Sequence, residues 1–118
     1  MSKIYAFDLD DTLCRRDTNL EHLGPDKYKH CVPIPNMIEK VNKIYDEGNT
    51  VYIYTARGMG QFKGDLIKVY NSLYCLTLNS LEEWGIKHHG LIMGKLHYDF
   101  LIDDKAMSDI HFKENYPL

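Results

Sequence analysis

Carboxylates, a hydroxyl and an ammonium fall in four short clusters of this sequence: Asp8-Leu9-Asp10-Asp11-Thr12, Thr55-Ala56-Arg57-Gly58, Gly94-Lys95 and Asp103-Asp104-Lys105. Gathered in one place, such groups have a definite chemistry. Crowded carboxylates repel one another and stay ionised only beside a compensating cation. Oxygen ligands select a hard ion, and a few carboxylates that leave positions for water and phosphate oxygens are typical of Mg²⁺. Thr55 and Lys95 are then free to donate to an anion, and a phosphoryl group sharing the magnesium is the candidate.

Each cluster directly follows an apolar run: Ile4–Phe7, Val51–Tyr54, Leu91–Met93 and Phe100–Ile102. These runs are rich in Ile, Val, Leu, Tyr and Phe and are bounded by polar residues or glycine, the pattern of buried strands. Two helical patterns lie between them. Pro35 suits a first turn, Met37, Ile38, Val41, Ile44 and Tyr45 recur at helical spacing, and Gly48 is placed to end that helix. From about Asp65 to Trp84, Leu66, Val69, Tyr70, Leu73, Leu76, Leu81 and Trp84 form a second face that Gly85 closes, with a fresh capping box and break available at Asn79-Ser80 with Glu83. Trp84 reads as core. Residues 14–34 and 58–64 fit neither pattern and read as loops over one end of the sheet.

Strands alternating with helices predict an α/β fold, a Rossmann-like three-layer sandwich with a mainly parallel sheet. In such sheets ligands bind outside the carboxyl ends of the strands, so all four clusters converge on one crevice. At 118 residues the chain is one domain, residues 1–118. Fourteen Lys and Arg against 17 Asp and Glu give a net charge of −3 without a basic run, which argues against a nucleic-acid binder. No apolar stretch approaches the roughly 20 residues that cross a bilayer, and the N-terminus lacks the apolar region of a signal peptide. A cytoplasmic protein without a membrane partner is expected. Cys14, Cys31 and Cys75 have no C-x-x-C spacing and read as buried or idle thiols.

Asp8-Leu9-Asp10-Asp11-Thr12 after an apolar strand resembles the D-x-D-x-T signature of the haloacid dehalogenase superfamily of phosphohydrolases. Thr55, Lys95 and Asp103-Asp104 fall in the order of that superfamily's later motifs, so the resemblance spans residues 4–105. Tyr54-Thr55-Ala56-Arg57-Gly58, Leu81-Glu82-Glu83-Trp84-Gly85 and Met93-Gly94-Lys95-Leu96-His97-Tyr98-Asp99 are similar to its capsule or polysaccharide biosynthesis phosphatases, which usually carry Gly-Lys-Pro where this chain has Gly94-Lys95-Leu96. The resemblance implies a Mg²⁺-dependent phosphatase. Asp8 would be the nucleophile that forms an aspartyl-phosphate and also a metal ligand, and Asp10 the general acid and then base, its backbone carbonyl also a metal ligand. Thr55 would bind a phosphoryl oxygen, Lys95 would neutralise charge and orient Asp8, and Asp103 with Asp104 would complete the metal shell.

Arg57, directly after Thr55, and His97, two residues beyond Lys95, are the candidate substrate-binding residues. His22, Lys27, Lys29 and His30 offer positive charge in the 14–34 loop, where solvated side chains are the simpler account. Between Thr12 and Val51, once the helix near 35–47 is set aside, roughly 22 residues remain, too few for a cap domain. A capless enzyme with a small flap at 14–34 is expected, and a homo-oligomer is one way to exclude water from its site. The substrate expected is a small sugar phosphate or related metabolite of polysaccharide biosynthesis; nucleotides and polynucleotide ends are alternatives. A receiver-like regulatory domain also stores phosphate on aspartate, but its Lys comes last, whereas Lys95 here precedes Asp103-Asp104. An inactive binding relative would not need the full set Asp8, Asp10, Thr55, Lys95 and Asp103.

Overall fold

The structure, a computed structural model, describes residues 2–116. Three of the four apolar runs form strands: β1 (Ile4–Phe7), β4 (Thr50–Thr55) and β5 (Gly90–Met93). They make one parallel sheet in the order β1-β4-β5, with Phe7 opposite Ile53 and Thr55 opposite Met93. β2 (Cys14–Arg15) and β3 (Val32–Pro33) form a separate antiparallel pair. Val51 and Ile53 of the central strand are fully buried against the helices, so the core lies between β4 and the helical layer. The chain is thus an α/β domain on a parallel sheet, with three strands too narrow to display a full three-layer sandwich.

Helix α1 (Pro35–Asp46) begins with Pro35, whose fixed φ and missing N–H suit a first turn, and buries Met37, Ile38, Val41 and Ile44. Helix α2 (Leu66–Glu83) is capped by Asp65, whose carboxylate accepts from Lys68 N–H, and buries Val69, Leu73, Thr77 and Leu81 at a spacing of one turn. It runs unbroken through Asn79-Ser80. There Ser80 Oγ donates to the Leu76 carbonyl at 3.2 Å rather than capping a new helix. Parallel β-α-β links of this kind direct the carboxyl ends of β1, β4 and β5 toward the same edge of the sheet.

Three expectations change. Phe100–Ile102 is not a fourth strand: Phe100 and Ile102 are 85% and 91% exposed, and among the described residues β1 pairs only with β4. Strand composition makes no strand without ladder partners, and this run finds none among the described residues. Residues 14–34 hold more than loop. β2 and β3 close the base of 3-10 turns over Thr18–His30, which start where Asp17 accepts from Asn19 N–H at 2.9 Å. A further helix, α3 (Asp109–Asn115), has one buried residue and so too little periodicity to stand out in the sequence. Ser108 caps it by accepting from His111 N–H at 3.1 Å; Phe112 meets Phe7 edge-on at 5.4 Å, and Lys40 Nζ donates to the Lys113 carbonyl, tying α3 to β1 and α1.

Candidate active site

The chain after β1 turns sharply. Three amides, those of Thr12, Leu13 and Cys14, donate to the Leu9 carbonyl, and Asp11 takes φ 64°, a left-handed conformation that Asp tolerates better than most residues. Leu9 and Leu13 point into the core, which leaves the alternate residues Asp8 and Asp10 on the cleft side. Thr12 Oγ1 donates to Asp8 Oδ2 at 3.1 Å, and Lys95 Nζ lies 3.6 Å from Asp8 Oδ1. The Asp8 side chain keeps 37% of its surface open to the cleft.

Lys95 reaches that position from β5 through Gly94. Gly94 has φ 94°, a backbone conformation that calls for glycine, while the nearest obstacle to a Cβ is the tip of the half-exposed Leu66 side chain, which can swing aside. The turn lets Lys95 N–H donate to the Thr55 carbonyl at 3.1 Å, extending the β4–β5 pairing by one rung. The Lys95 ammonium also lies 5.9 Å from the Tyr54 ring centre and 5.5 Å from that of Tyr98, close enough for cation–π attraction. Thr55, buried at the end of β4, accepts from Arg57 N–H at 3.1 Å, and its own hydroxyl proton remains for another partner.

A cleft of about 670 Å³ opens at these strand ends. The sequence candidates Asp8, Asp10, Thr55, Arg57, Lys95 and His97 all line it, together with Lys27 from the flap. Tyr98, from the stretch after Lys95, also lines it, as do Arg16, Glu21, Tyr28 and Gln61, which carry no linear signal that marks them. The flap charges are paired: Lys27 with Glu21 at 2.6 Å, Arg16 with Asp11 at 3.0 Å and Lys29 with Asp26 at 3.2 Å. Glu21 is held below the usual carboxylate range by its hydrogen bond from Lys27.

Arg57 does not reach for a substrate as expected. Its side chain has no exposed surface and grips Asp10, 16% exposed, through Nε to Oδ2 at 2.9 Å and Nη2 to Oδ1 at 3.0 Å. Nη1 donates to Thr77 Oγ1 at 3.2 Å, and the guanidinium carbon sits 4.6 Å from the Tyr28 ring centre. Burial works against its charge, yet the hydrogen bond and charge of Asp10 hold Arg57 above the ordinary arginine range. The reason for the inward course is Asp10 itself, a carboxylate with the bidentate geometry that a guanidinium matches. Held in this way, the Asp10 carboxylate faces Arg57 rather than the open cleft.

Cys14 and Cys31 complete the surroundings of Asp10. Their sulfurs lie 3.5 Å and 3.7 Å from Asp10 Oδ1, and 3.7 Å and 3.5 Å from Arg57 Nη2. The thiol hydrogen bond between them, with burial, pushes Cys14 up; the same bond, with Arg57 beside it, brings Cys31 down. Both thiols are buried, as expected, and both belong to the Asp10 cluster.

Asp103 and Asp104 are not brought to the cleft. The strand that was to carry them does not form, and Asp103 Oδ1 instead accepts from Lys105 N–H at 2.9 Å in an exposed local turn. That bond, together with one from Asp104, lowers Asp103 below the usual carboxylate range. Among the described residues the one grouping of three close metal-ligating types is Asp10, Cys14 and Cys31, not the four aspartates expected.

No family model matches the chain, and no curated protein matches it. Among solved structures, the crystal structure of a Vibrio cholerae protein is similar to it, with a TM-score of 0.79 and 25% identity over 96% of this chain and 88% of that one. Among the described residues no helix is long and apolar enough to cross a membrane.

Proposed function

We propose that this protein is a phosphomonoester hydrolase that works through an aspartyl-phosphate on Asp8, with Mg²⁺ as cofactor. The observation that carries the reading is the pairing of a half-open carboxylate with an ammonium at 3.6 Å, at the carboxyl ends of parallel strands, with the Thr55 hydroxyl on the strand between. The order of motifs in the sequence adds the superfamily resemblance.

The residues divide the work. Asp8 attacks phosphorus, forming an Asp8 O–P bond as the ester P–O bond breaks, and Asp10 delivers its proton to the departing alkoxide. Water then attacks phosphorus, Asp10 takes the proton back, and Asp8 is released. In the structure the Asp10 carboxylate is paired with Arg57, so the acid step requires Asp10 to be protonated and turned out of that pair toward the leaving oxygen. Thr12 holds Asp8 through Oδ2, while Lys95 and Thr55 donate to phosphoryl oxygens, where charge stabilisation matters most.

The oxygen donors at the cleft fit Mg²⁺ in its economical form, one or two protein oxygens with the rest supplied by water and phosphate. The Asp8 carboxylate and the Asp10 backbone carbonyl would hold it, and when bound it would neutralise phosphoryl charge. The Asp10–Cys14–Cys31 grouping does not fit, since thiols are soft ligands and a guanidinium already occupies its face.

The cleft volume suits a small phosphorylated metabolite. The resemblance to the polysaccharide-biosynthesis group favours a sugar phosphate, handled in the cytoplasm, and an oligomer remains the means of covering a cleft without a cap. Phosphate release from sugar phosphates, nucleotides and an aryl phosphate, with and without Mg²⁺, tests the reading against Asp8→Asn. Release should need both Mg²⁺ and Asp8. Full activity of Asp8→Asn would remove the nucleophile, unchanged rates in excess chelator would remove the metal, and a long-lived phosphate on Asp8 would favour a switch.

A further inference from the structure

Two thiols buried side by side are an unusual way to support one carboxylate. Cys14 is fully buried and Cys31 is 8% exposed; their sulfurs lie within 4.8 Å of each other and share both Asp10 Oδ1 and Arg57 Nη2. A metal ion held by these three side chains would have to displace Arg57, whose own positive charge already meets both sulfurs and the carboxylate. The reaction left to such a pair is oxidation to a disulfide. Position adds a consequence: Cys14 starts β2, Cys31 immediately precedes β3, and the entire flap over Thr18–His30 lies between them.

We propose that Cys14 and Cys31 form a redox-active dithiol that a hydroperoxide closes into an intramolecular disulfide, stapling the flap base and altering the support of Asp10. Cys31, the less buried, reacts first. Its sulfur attacks the peroxide; an S–O bond forms, the O–O bond breaks, and the departing oxygen takes up the thiol proton and leaves as water or alcohol. The sulfur is oxidised to a sulfenic acid as the peroxide is reduced. Cys14 sulfur then attacks Cys31 sulfur; the S–S bond forms, the S–O bond breaks, and the hydroxyl leaves with the Cys14 proton as water. The sulfurs draw to about 2.05 Å. Both S–H groups are gone from Asp10 Oδ1, and the flap wall carrying Arg16, Lys27 and Tyr28 is tied at its root.

The full chain with Cys75→Ser, which removes the exposed thiol, is treated with a small excess of hydrogen peroxide, unfolded in iodoacetamide and digested without reductant. A joined peptide pair containing Cys14 and Cys31, two hydrogens lighter than the separate thiol peptides, is the expected result. Dithiothreitol should separate it, and Cys31→Ser should never give it. Both cysteines fully alkylated after peroxide, or each carried to a sulfinic acid with no joined pair, would overturn the proposal. So would one zinc ion per purified chain, lost with a thiol-blocking reagent. The effect on activity rests on the phosphatase reading: aryl phosphate hydrolysis should fall roughly tenfold to hundredfold in the oxidised protein and return with dithiothreitol. A joined pair with no hydrolysis in either state would defeat the phosphatase reading and leave the dithiol standing. Equal hydrolysis in both states would overturn the link to Asp10.

Discussion

A guanidinium without solvent contact is tolerated only where its donors and its charge are both met, and Asp10, Thr77 and the Tyr28 face meet those of Arg57. Removing one partner of such a pair leaves the other charge buried. Arg57→Met should therefore destabilise the fold by about 3–5 kcal/mol, read as a lower urea midpoint at unchanged slope. Adding Asp10→Asn should recover much of that loss, since the stranded charge is gone. By contrast, breaking Lys87–Asp46, half-exposed and 2.7 Å apart, should cost no more than about 1 kcal/mol. Equal losses for the two pairs would mean that burial does not set the cost. Arg57 is also where the sequence misleads. Its place after Thr55 points to a substrate, but the direction of a long side chain is chosen by what it meets, and Asp10 lies far away in the chain.

At the scale of elements, the site depends on how strands end. Gly94 converts the end of β5 into the placement of Lys95, and its left-handed φ costs any other residue strain that a helix or strand position would not. Gly94→Ala should lose about 1–2 kcal/mol from φ alone, and the shifted Lys95 should lower kcat for phosphate release more than it raises KM. Thermal unfolding with steady-state kinetics checks both; unchanged kinetics would separate Lys95 from the reaction. The strands and helices that hold the core were legible because Val51, Ile53, Met37, Val41, Val69, Leu73 and Leu81 repeat at strand or helix period. β2, β3 and α3 were not, because two-residue strands and a helix with one buried side chain leave no period to read. The run Phe100–Ile102 shows the converse failure: it has strand composition without a strand partner.

Across the whole molecule, order is unevenly distributed. β4 is paired on both sides, whereas among the described residues no backbone-to-backbone hydrogen bond ties residues 96–107. Amide hydrogen exchange should therefore be slowest in residues 50–55 and fast across residues 99–104. Strong protection of the latter would show that Phe100–Ile102 joins the sheet in solution. By itself, the sequence determined the α/β class, the three core strands, the two long helices and the convergence of Asp8, Asp10, Thr55 and Lys95, because periodicity and strand order are local properties that one chain direction already contains. Only the tertiary structure decided that Arg57 turns inward to Asp10, that Cys14 and Cys31 meet there, and that Asp103 and Asp104 stay outside. Those outcomes depend on which distant groups share a desolvated space, where the competition between burial, charge and hydrogen bonding is settled in three dimensions.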